Sequence, residues 1–424
     1  MVRVESVRGR EILDSRGRPT VLARVRFACG AVGDASVPSG ASTGAAEAHE
    51  LRDGDPSRYR GLGCRKAVAS IDGPIARQLV GRDWAGQSDV DRALIDGDGT
   101  VEKSCWGANA ILAVSIAFAR AAASSSGVPL HAHLASLVPA PRSVLPRLTI
   151  NLFSGGKHAG QQVAIQDVLI VPLAGSIDEC LAMAFDVYQA AADLTRRRYA
   201  ARPLRADEGG LAPPFPSTDA MLGDAADAVR SAGLTLGRDL CLAVDVAASH
   251  FREGGLYHVD DDRLDSAAMI DRIARWTRDF GLVSVEDGLS ESDWEHWPEL
   301  CRTIAPAATV IGDDLLCTNR ARVERAAQSR AANGLLLKVN QIGTLTEAAD
   351  ARRAAHDAGW QITVSARSGE TEDDWLADLA VAWGDQIKVG SITQSERLAK
   401  YNRLLEIERE TRRPLHAWPA RVPS

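Results

Sequence analysis

Six short apolar runs mark the second half of the chain, and each closes on charged or hydroxyl residues. They are LCLAVD (240–245), LVSVED (282–287), ATVIGDD (308–314), GLLLKVN (334–340), QITVSAR (361–367) and DQIKVG (385–390). Near-continuous apolar character over this length is what a strand needs when both of its faces are covered. Helix-like sequence follows each run, and from Glu286 onward the polar ends recur about every 25 residues, the length of one βα unit in a parallel barrel. The pattern predicts an α/β fold with a β/α (TIM-like) barrel. Chemistry in such barrels sits at the carboxyl ends of the strands. Asp245, Glu286, Asp313, Lys338, Ser365 with Arg367, and Lys388 are therefore expected at one mouth.

The first part of the chain has a different pattern. TVLARVRF (20–27) and AVGDASV (31–37) are short alternating segments parted by Gly30, which predicts antiparallel strands. Residues 58–81 and 107–127 then carry apolar residues at helical spacing, each stretch ending at a glycine suited to a left-handed cap. SLVPAPRSVLPRL (136–148) supplies three prolines and predicts a connection between domains. A chain of 424 residues is longer than one core usually serves. The expected division is a smaller domain over residues 1–136 and the barrel over 137–424.

Composition narrows the partners. Hydrophobic residues at 45% and charged residues at 25% suit an ordinary globular protein. A formal charge of -7 argues against nucleic acid, whose backbone calls for dense Lys and Arg patches. The seven cysteines are scattered, odd in number and without a C-x-x-C pair, so buried reduced thiols are expected rather than disulfides or zinc. No apolar signal-peptide core opens the sequence, and no segment is expected to reach the roughly 20 uncharged apolar residues of a membrane span. A cytoplasmic protein that binds a small ligand is the expectation.

Three carboxylates on successive strand ends, Asp245, Glu286 and Asp313, supply hard oxygen ligands and leave room for water and substrate, an arrangement suited to Mg²⁺. Each of them alone could instead cap the next helix. Lys338 ends an apolar run, where burial, Lys388 and a nearby cation would disfavour its charged form and make it a candidate base. The alternative is a structural salt bridge with the acids. RADEGGLAPP puts Glu208, a candidate acid, before a glycine pair. SGGKHAGQQVAIQD offers His158, Gln166 and Asp167, although a lone histidine is more often structural. VPSGASTG (37–44) has the composition of a mobile lid and lacks the Gly-Lys-Ser/Thr of a nucleotide loop.

Taken in order, EILDSRGRPT, VPSGASTG, ELRDGD, GANAILAVS, DEGGLAP, VEDGLSESDW, GDDL, LLLKVNQIGTLTE, RSGETED and QSERLAKYN resemble the enolases, from about Val4 to near Glu410. The resemblance implies an α+β N-terminal domain, a C-terminal barrel with a ββαα start, and a homodimer. It also implies Mg²⁺-dependent loss of water from 2-phosphoglycerate; enolase-superfamily sites pair a Lys or His base with one or two Mg²⁺ ions. By matching motif, Asp245, Glu286 and Asp313 would hold the first Mg²⁺ and Ser39 would help hold a second. Lys338 would take the C2 proton and Glu208 would protonate the leaving hydroxyl. Lys388 and Gln166 would lie near the substrate carboxylate, and Arg367 with Ser368 at the phosphate.

The resemblance has breaks. Ala366 stands where the family pattern has histidine, and Asp167 where it has glutamate. Arg18 replaces an asparagine, and NLFSGGKHAG departs from the usual Asn-rich form. These changes leave the expected metal and lysine set intact while altering the phosphate and leaving-group ends. The substrate is expected to be a phosphorylated or phosphonylated carboxylic acid. The candidates are 2-phosphoglycerate itself, or one with an enlarged phosphate end, as in the enolase-like carboxyphosphonoenolpyruvate synthases of phosphonate antibiotic pathways. A non-catalytic binding protein on the same fold is the alternative of another class.

Overall fold

The computed structural model of the chain describes residues 1–41 and 43–419. Three strands, β1 (Val2–Leu13), β2 (Pro19–Phe27) and β3 (Val32–Ser36), form an antiparallel meander, and the short β4 (Asp83–Trp84) pairs with the start of β1. The helix Ala108–Ser126 lies against this sheet, with the rings of Phe27 and Phe118 5.1 Å apart. It is long and apolar enough to cross a bilayer by length and composition, but it carries Arg120 and 78% of its most apolar window is buried. A core position for the sheet's covering helix accounts for the same composition.

Eight strands close the barrel. They are β5 (Arg147–Ser154), β6 (Asp167–Pro172), β7 (Leu240–Asp245), then, beyond a small three-stranded meander of β8 (Arg252–Glu253), β9 (Leu256–Val259) and β10 (Asp262–Leu264), β11 (Leu282–Glu286), β12 (Thr309–Gly312), β13 (Gly334–Leu337), β14 (Gln361–Ser365) and β15 (Gln386–Gly390). The six apolar runs are β7 and β11 to β15. β6 is antiparallel to both neighbours while every other barrel pair is parallel. Two helices, Ile177–Tyr199 and Thr218–Ser231, separate β6 from β7, which completes a ββαα start.

The reversed strand matters for the site. Its first residue, Asp167, sits in register with Ser154 at the end of β5 and Asp245 at the end of β7. An amino end thus joins the carboxyl ends at one mouth. β5 carries no simple apolar run because Arg147, Thr149 and Asn151 are buried in it. Arg147 spends its guanidinium on the carbonyls of Ala174, Pro172 and His416, so the buried charge is hydrogen-bonded. All seven cysteines are free; five are buried as expected, whereas Cys29 and Cys105 are exposed.

Candidate active site

Strand ends build the mouth. β7 ends on Asp245 and β11 on Glu286, β12 and β13 stop one residue before Asp313 and Lys338, and Lys388 lies within β15. All five side chains are buried. Lys388 Nζ donates to Asp245 Oδ2 at 2.7 Å and to the two Glu286 oxygens at 2.8 and 2.9 Å. Lys338 Nζ donates to Asp313 Oδ2 at 2.5 Å, and the other Asp313 oxygen accepts from Gln341 Nε2 at 2.8 Å. None of the three acids stands at the N-cap of the following α-helix: after β7, β11 and β12 those positions belong to Asp265, His296 and Asn319, of which Asp265 and Asn319 accept capping hydrogen bonds.

Charge in this patch is unevenly balanced. Burial alone would raise the Asp245 carboxyl, but Lys388, Lys338 and His158 hold it below the ordinary carboxylate range. Glu286 is pushed well above that range by burial and then by Asp245, in spite of Lys388. For Lys338, burial is the largest influence and opposes the charged form, but Asp313 together with Glu286 overcomes it, so the ammonium is favoured. The alternative weighed for this lysine, a salt bridge with the acids, is what the structure shows in its pair with Asp313.

On the opposite side, Asp167 Oδ2 lies 2.8 Å from His158 Nδ1, while its Oδ1 accepts from Asn151 Nδ2 at 2.6 Å and Ser154 Oγ at 2.8 Å. His158 Nε2 is 3.7 Å from Glu208 Oε1. Burial would lower the His158 pKa, yet Asp167 and Glu208 carry it up to about 9. Burial would raise Glu208, yet His158, Arg397 and Lys388 hold it below its ordinary value. The proton that an acid needs is therefore stored on His158, beside Glu208. The turn that delivers Glu208 needs its glycine, since Gly209 adopts φ +85°.

The third part of the mouth is the loop after β14. The Arg367 guanidinium meets both Glu47 oxygens at 3.1 Å and Asn340 Oδ1 at 2.9 Å, and Glu47 Oε1 lies 3.3 Å from Gln341 Nε2. Asp313, Gln341, Glu47 and Arg367 form one polar chain. Ser368 Oγ accepts from the Ala41 amide at 2.7 Å and from Arg16 at 3.2 Å. From below, Arg397 donates to the carbonyls of Arg367, Val389 and Ser368 at 2.7, 3.0 and 2.7 Å. Lys400 reaches the Thr371 carbonyl at 2.6 Å and Glu370 at 2.9 Å. Arg397 and Lys400 are three apart on the helix Ser395–Thr411 and so share a face, which gives the QSERLAKYN stretch its purpose.

Within the segment expected to be a mobile lid, Ser39 and Ala41 are tied to the loop after β14. Ser39 and Gly369 exchange backbone hydrogen bonds of 2.8 and 2.9 Å. The Ser39 hydroxyl donates to Glu50 at 3.0 Å and accepts from Arg52 at 2.9 Å. In this structure the Ser39 oxygen is thus bonded to side chains of the N-terminal domain, and holding a metal would require those bonds to open.

The chemistry of the donor set fits a hard divalent cation. Asp245, Glu286 and Asp313 offer only oxygen, and the Lys388 ammonium bridging two of them shows that their oxygens face a common point where positive charge is favoured. Gln166 donates to Asp245 Oδ2 at 3.2 Å, and its buried Oε1 has no partner among the described residues. Two tighter groups, with ligand atoms within 4.8 Å of one another, are His158–Asp167–Glu208 and Asp287–Asp313–Asp314. They suit a metal less well. Asp287 spends both oxygens on the amides of Asp313 and Asp314 at 2.8 and 2.9 Å, and His158 is bonded to Asp167.

Sequence models of the enolase N-terminal domain and of the enolase C-terminal TIM barrel domain match residues 4–134 and 142–414. The chain belongs to the enolase family. Membership implies a lyase-type enzyme acting on a small acid, with Mg²⁺ as the family's usual ion. Against that family pattern, Ala366 is a buried methyl within the apolar core whose amide donates to the Lys388 carbonyl at 2.8 Å. It offers the neighbouring Arg367 neither charge nor side-chain hydrogen bond. Glu47, Asn340, Gln341 and Arg397 went unnoticed in the sequence. The available signal was indirect: a buried arginine demands an acid partner, but nothing near Arg367 in the chain says that the acid is Glu47.

Proposed function

We propose that this enolase-family chain is a Mg²⁺-dependent hydro-lyase that removes water from 2-phosphoglycerate or a close relative to give an enol phosphate. The observation that carries the reading is the meeting, at one mouth, of the carboxylate–lysine patch of Asp245, Glu286, Asp313, Lys338 and Lys388 with the Asp167–His158–Glu208 chain. Asp245, Glu286 and Asp313 would hold the ion. When bound, Mg²⁺ supplies positive charge against the anion that develops as the C2 proton leaves beside a carboxylate. Lys338 would accept that proton as the neutral amine, after it has left Asp313 and released its own proton to solvent. Glu208 returns a proton to the C3 hydroxyl, drawing on His158, which Asp167 orients. Lys388 and Gln166 bind the substrate carboxylate; Arg367 and Ser368 bind the phosphate. A domain boundary at residues 136 and 137, a homodimer and a cytoplasmic location belong to the same reading.

The test uses purified protein, Mg²⁺ and 2-phosphoglycerate, following the ultraviolet absorbance of the enol product and deuterium exchange at C2. Lys338→Ala is expected to abolish exchange, whereas Glu208→Gln keeps exchange and blocks water loss; the reverse pattern overturns the assignment. A protein with neither exchange nor turnover on any candidate acid is a binding protein.

A second reading, a specialised paralogue of the carboxyphosphonoenolpyruvate synthase kind, draws on Ala366 and on a cavity of about 260 Å³ lined by Glu47 and Asn340, both partners of Arg367. Space at the phosphate end suits a larger group. Ala366→His is expected to raise turnover of 2-phosphoglycerate if the pocket is otherwise ordinary, and a further loss favours the larger substrate.

A further inference from the structure

A cleft of about 340 Å³ opens beside the mouth, between the 156–164 loop and the segment from His250 to Asp260. One wall carries Lys157, next in the chain to His158, and leads to Gln166. The other follows β7, five residues beyond Asp245. The cleft therefore adjoins the side of the mouth where Glu208 and His158 meet.

Several of its polar groups have nothing to bind. Gln162 gives its amide hydrogens to the Ser154 and Pro213 carbonyls at 3.0 and 3.3 Å, but its buried Oε1 is without a partner among the described residues. His250 Nδ1 is buried and equally without one. Burial and then Lys157 lower the His250 pKa to about 4, while Asp245 and Asp313 pull the other way, so the ring senses the charges of the mouth and stays neutral near pH 7. Lys157 is exposed and makes no ion pair among the described residues. Asp260 is not a counterion for it, because its two oxygens are held by the Thr218 amide and hydroxyl at 2.9 and 3.0 Å. The lining also includes the exposed acid Glu253, on the wall opposite the 156–164 loop; on that loop's side a free ammonium and an amide oxygen, with the neutral imidazole of His250, match an acidic group that also carries or neighbours a donor.

We propose that this cleft receives the acidic end of a substituent on C3, so that the preferred substrate is a 2-phospho-3-hydroxy dicarboxylic acid longer than 2-phosphoglycerate. The inference rests on the dehydration reading above. That reading sets the C3 hydroxyl beside Glu208 and His158, and a longer chain at C3 continues past His158 toward Lys157. The chemistry stays balanced as before: the C2–H pair becomes the C2–C3 double bond, the C3–O bond breaks, and the oxygen leaves as water with the proton from the acid side.

The experiment is calorimetry, in Mg²⁺, of the full chain with 2-phosphoglycerate and with each C3 epimer of 3-hydroxy-2-(phosphonooxy)glutarate. One epimer is expected to bind about tenfold tighter than 2-phosphoglycerate, the worth of one charge-assisted contact. Lys157→Ala, at an exposed position that folding tolerates, is expected to erase that ratio, and His250→Ala to reduce it. If 2-phosphoglycerate binds and neither longer acid binds tighter, or if the ratio survives Lys157→Ala, the cleft assignment falls and the dehydration reading stands. If no acid binds, both fall.

Discussion

Glu47 sets both carboxylate oxygens against the guanidinium of Arg367, and both side chains are nearly withdrawn from water, at 8% and 3% exposure. Breaking a buried pair by removing one partner leaves an uncompensated charge. Glu47→Ala is therefore expected to cost roughly 3–5 kcal/mol in urea unfolding, while Glu5→Ala, from an exposed pair with Arg26, costs well under ~1 kcal/mol. His158 supplies the pH dependence. Its pKa is raised from 6.5 to about 9 by Asp167 and Glu208 against burial, so its contribution is fully present below pH 6.5 and is lost as pH rises through about 9. His158→Asn should be less stable than the parent at pH 6, with the gap closing by pH 10. A gap that widens with pH would rule out this charge assignment.

At the scale of elements, the catalytic loops are held by parts distant in sequence. The helix Ser395–Thr411 fastens the loop after β14 through Arg397, and that loop in turn pins the N-terminal segment through the Ser39–Gly369 pairing. Gly369 permits this approach, because a side chain there would lie 2.3 Å from Arg16 Nη2 and Asp14 Oδ2. Gly369→Val is thus expected to free the 37–44 segment, and limited proteolysis should cut there faster than in the parent. Arg397→Met should have the same effect through loss of its three carbonyl contacts, and unchanged cleavage in both variants would contradict the pinning. The reversal of β6 belongs to this scale too, since it carries Asp167 to the mouth from the wrong end of a strand.

For the whole molecule, the crowded acids at the mouth are balanced by two lysine ammonium groups, which serve Asp245, Glu286 and Asp313. A cation that binds the folded state adds stability by mass action, about 2.7 kcal/mol at a hundredfold excess over Kd. Mg²⁺ is expected to raise the thermal midpoint in a saturable way and EDTA to return it to the baseline without unfolding the chain. Asp245→Asn should abolish the response. A midpoint insensitive to Mg²⁺ would remove the ion from the proposed mechanism.

The barrel's six later strands, and the residues at their ends, were legible from sequence because full burial on both faces forces unbroken apolar runs, and charged residues interrupt them only where a strand meets the mouth. The same rule hid β5, whose buried Arg147, Thr149 and Asn151 are satisfied by groups far along the chain. Local pattern also carried the identity of the acids and lysines, but not their pairing. That Lys388 serves Asp245 and Glu286, that Lys338 is charged against Asp313, that Ser39 is spent on Glu50 and Arg52, and that Arg367 answers to Glu47 were decided only by tertiary structure. The physical reason is common to all four: burial fixes that a charge must find a partner, and only the path of the chain in space fixes which one.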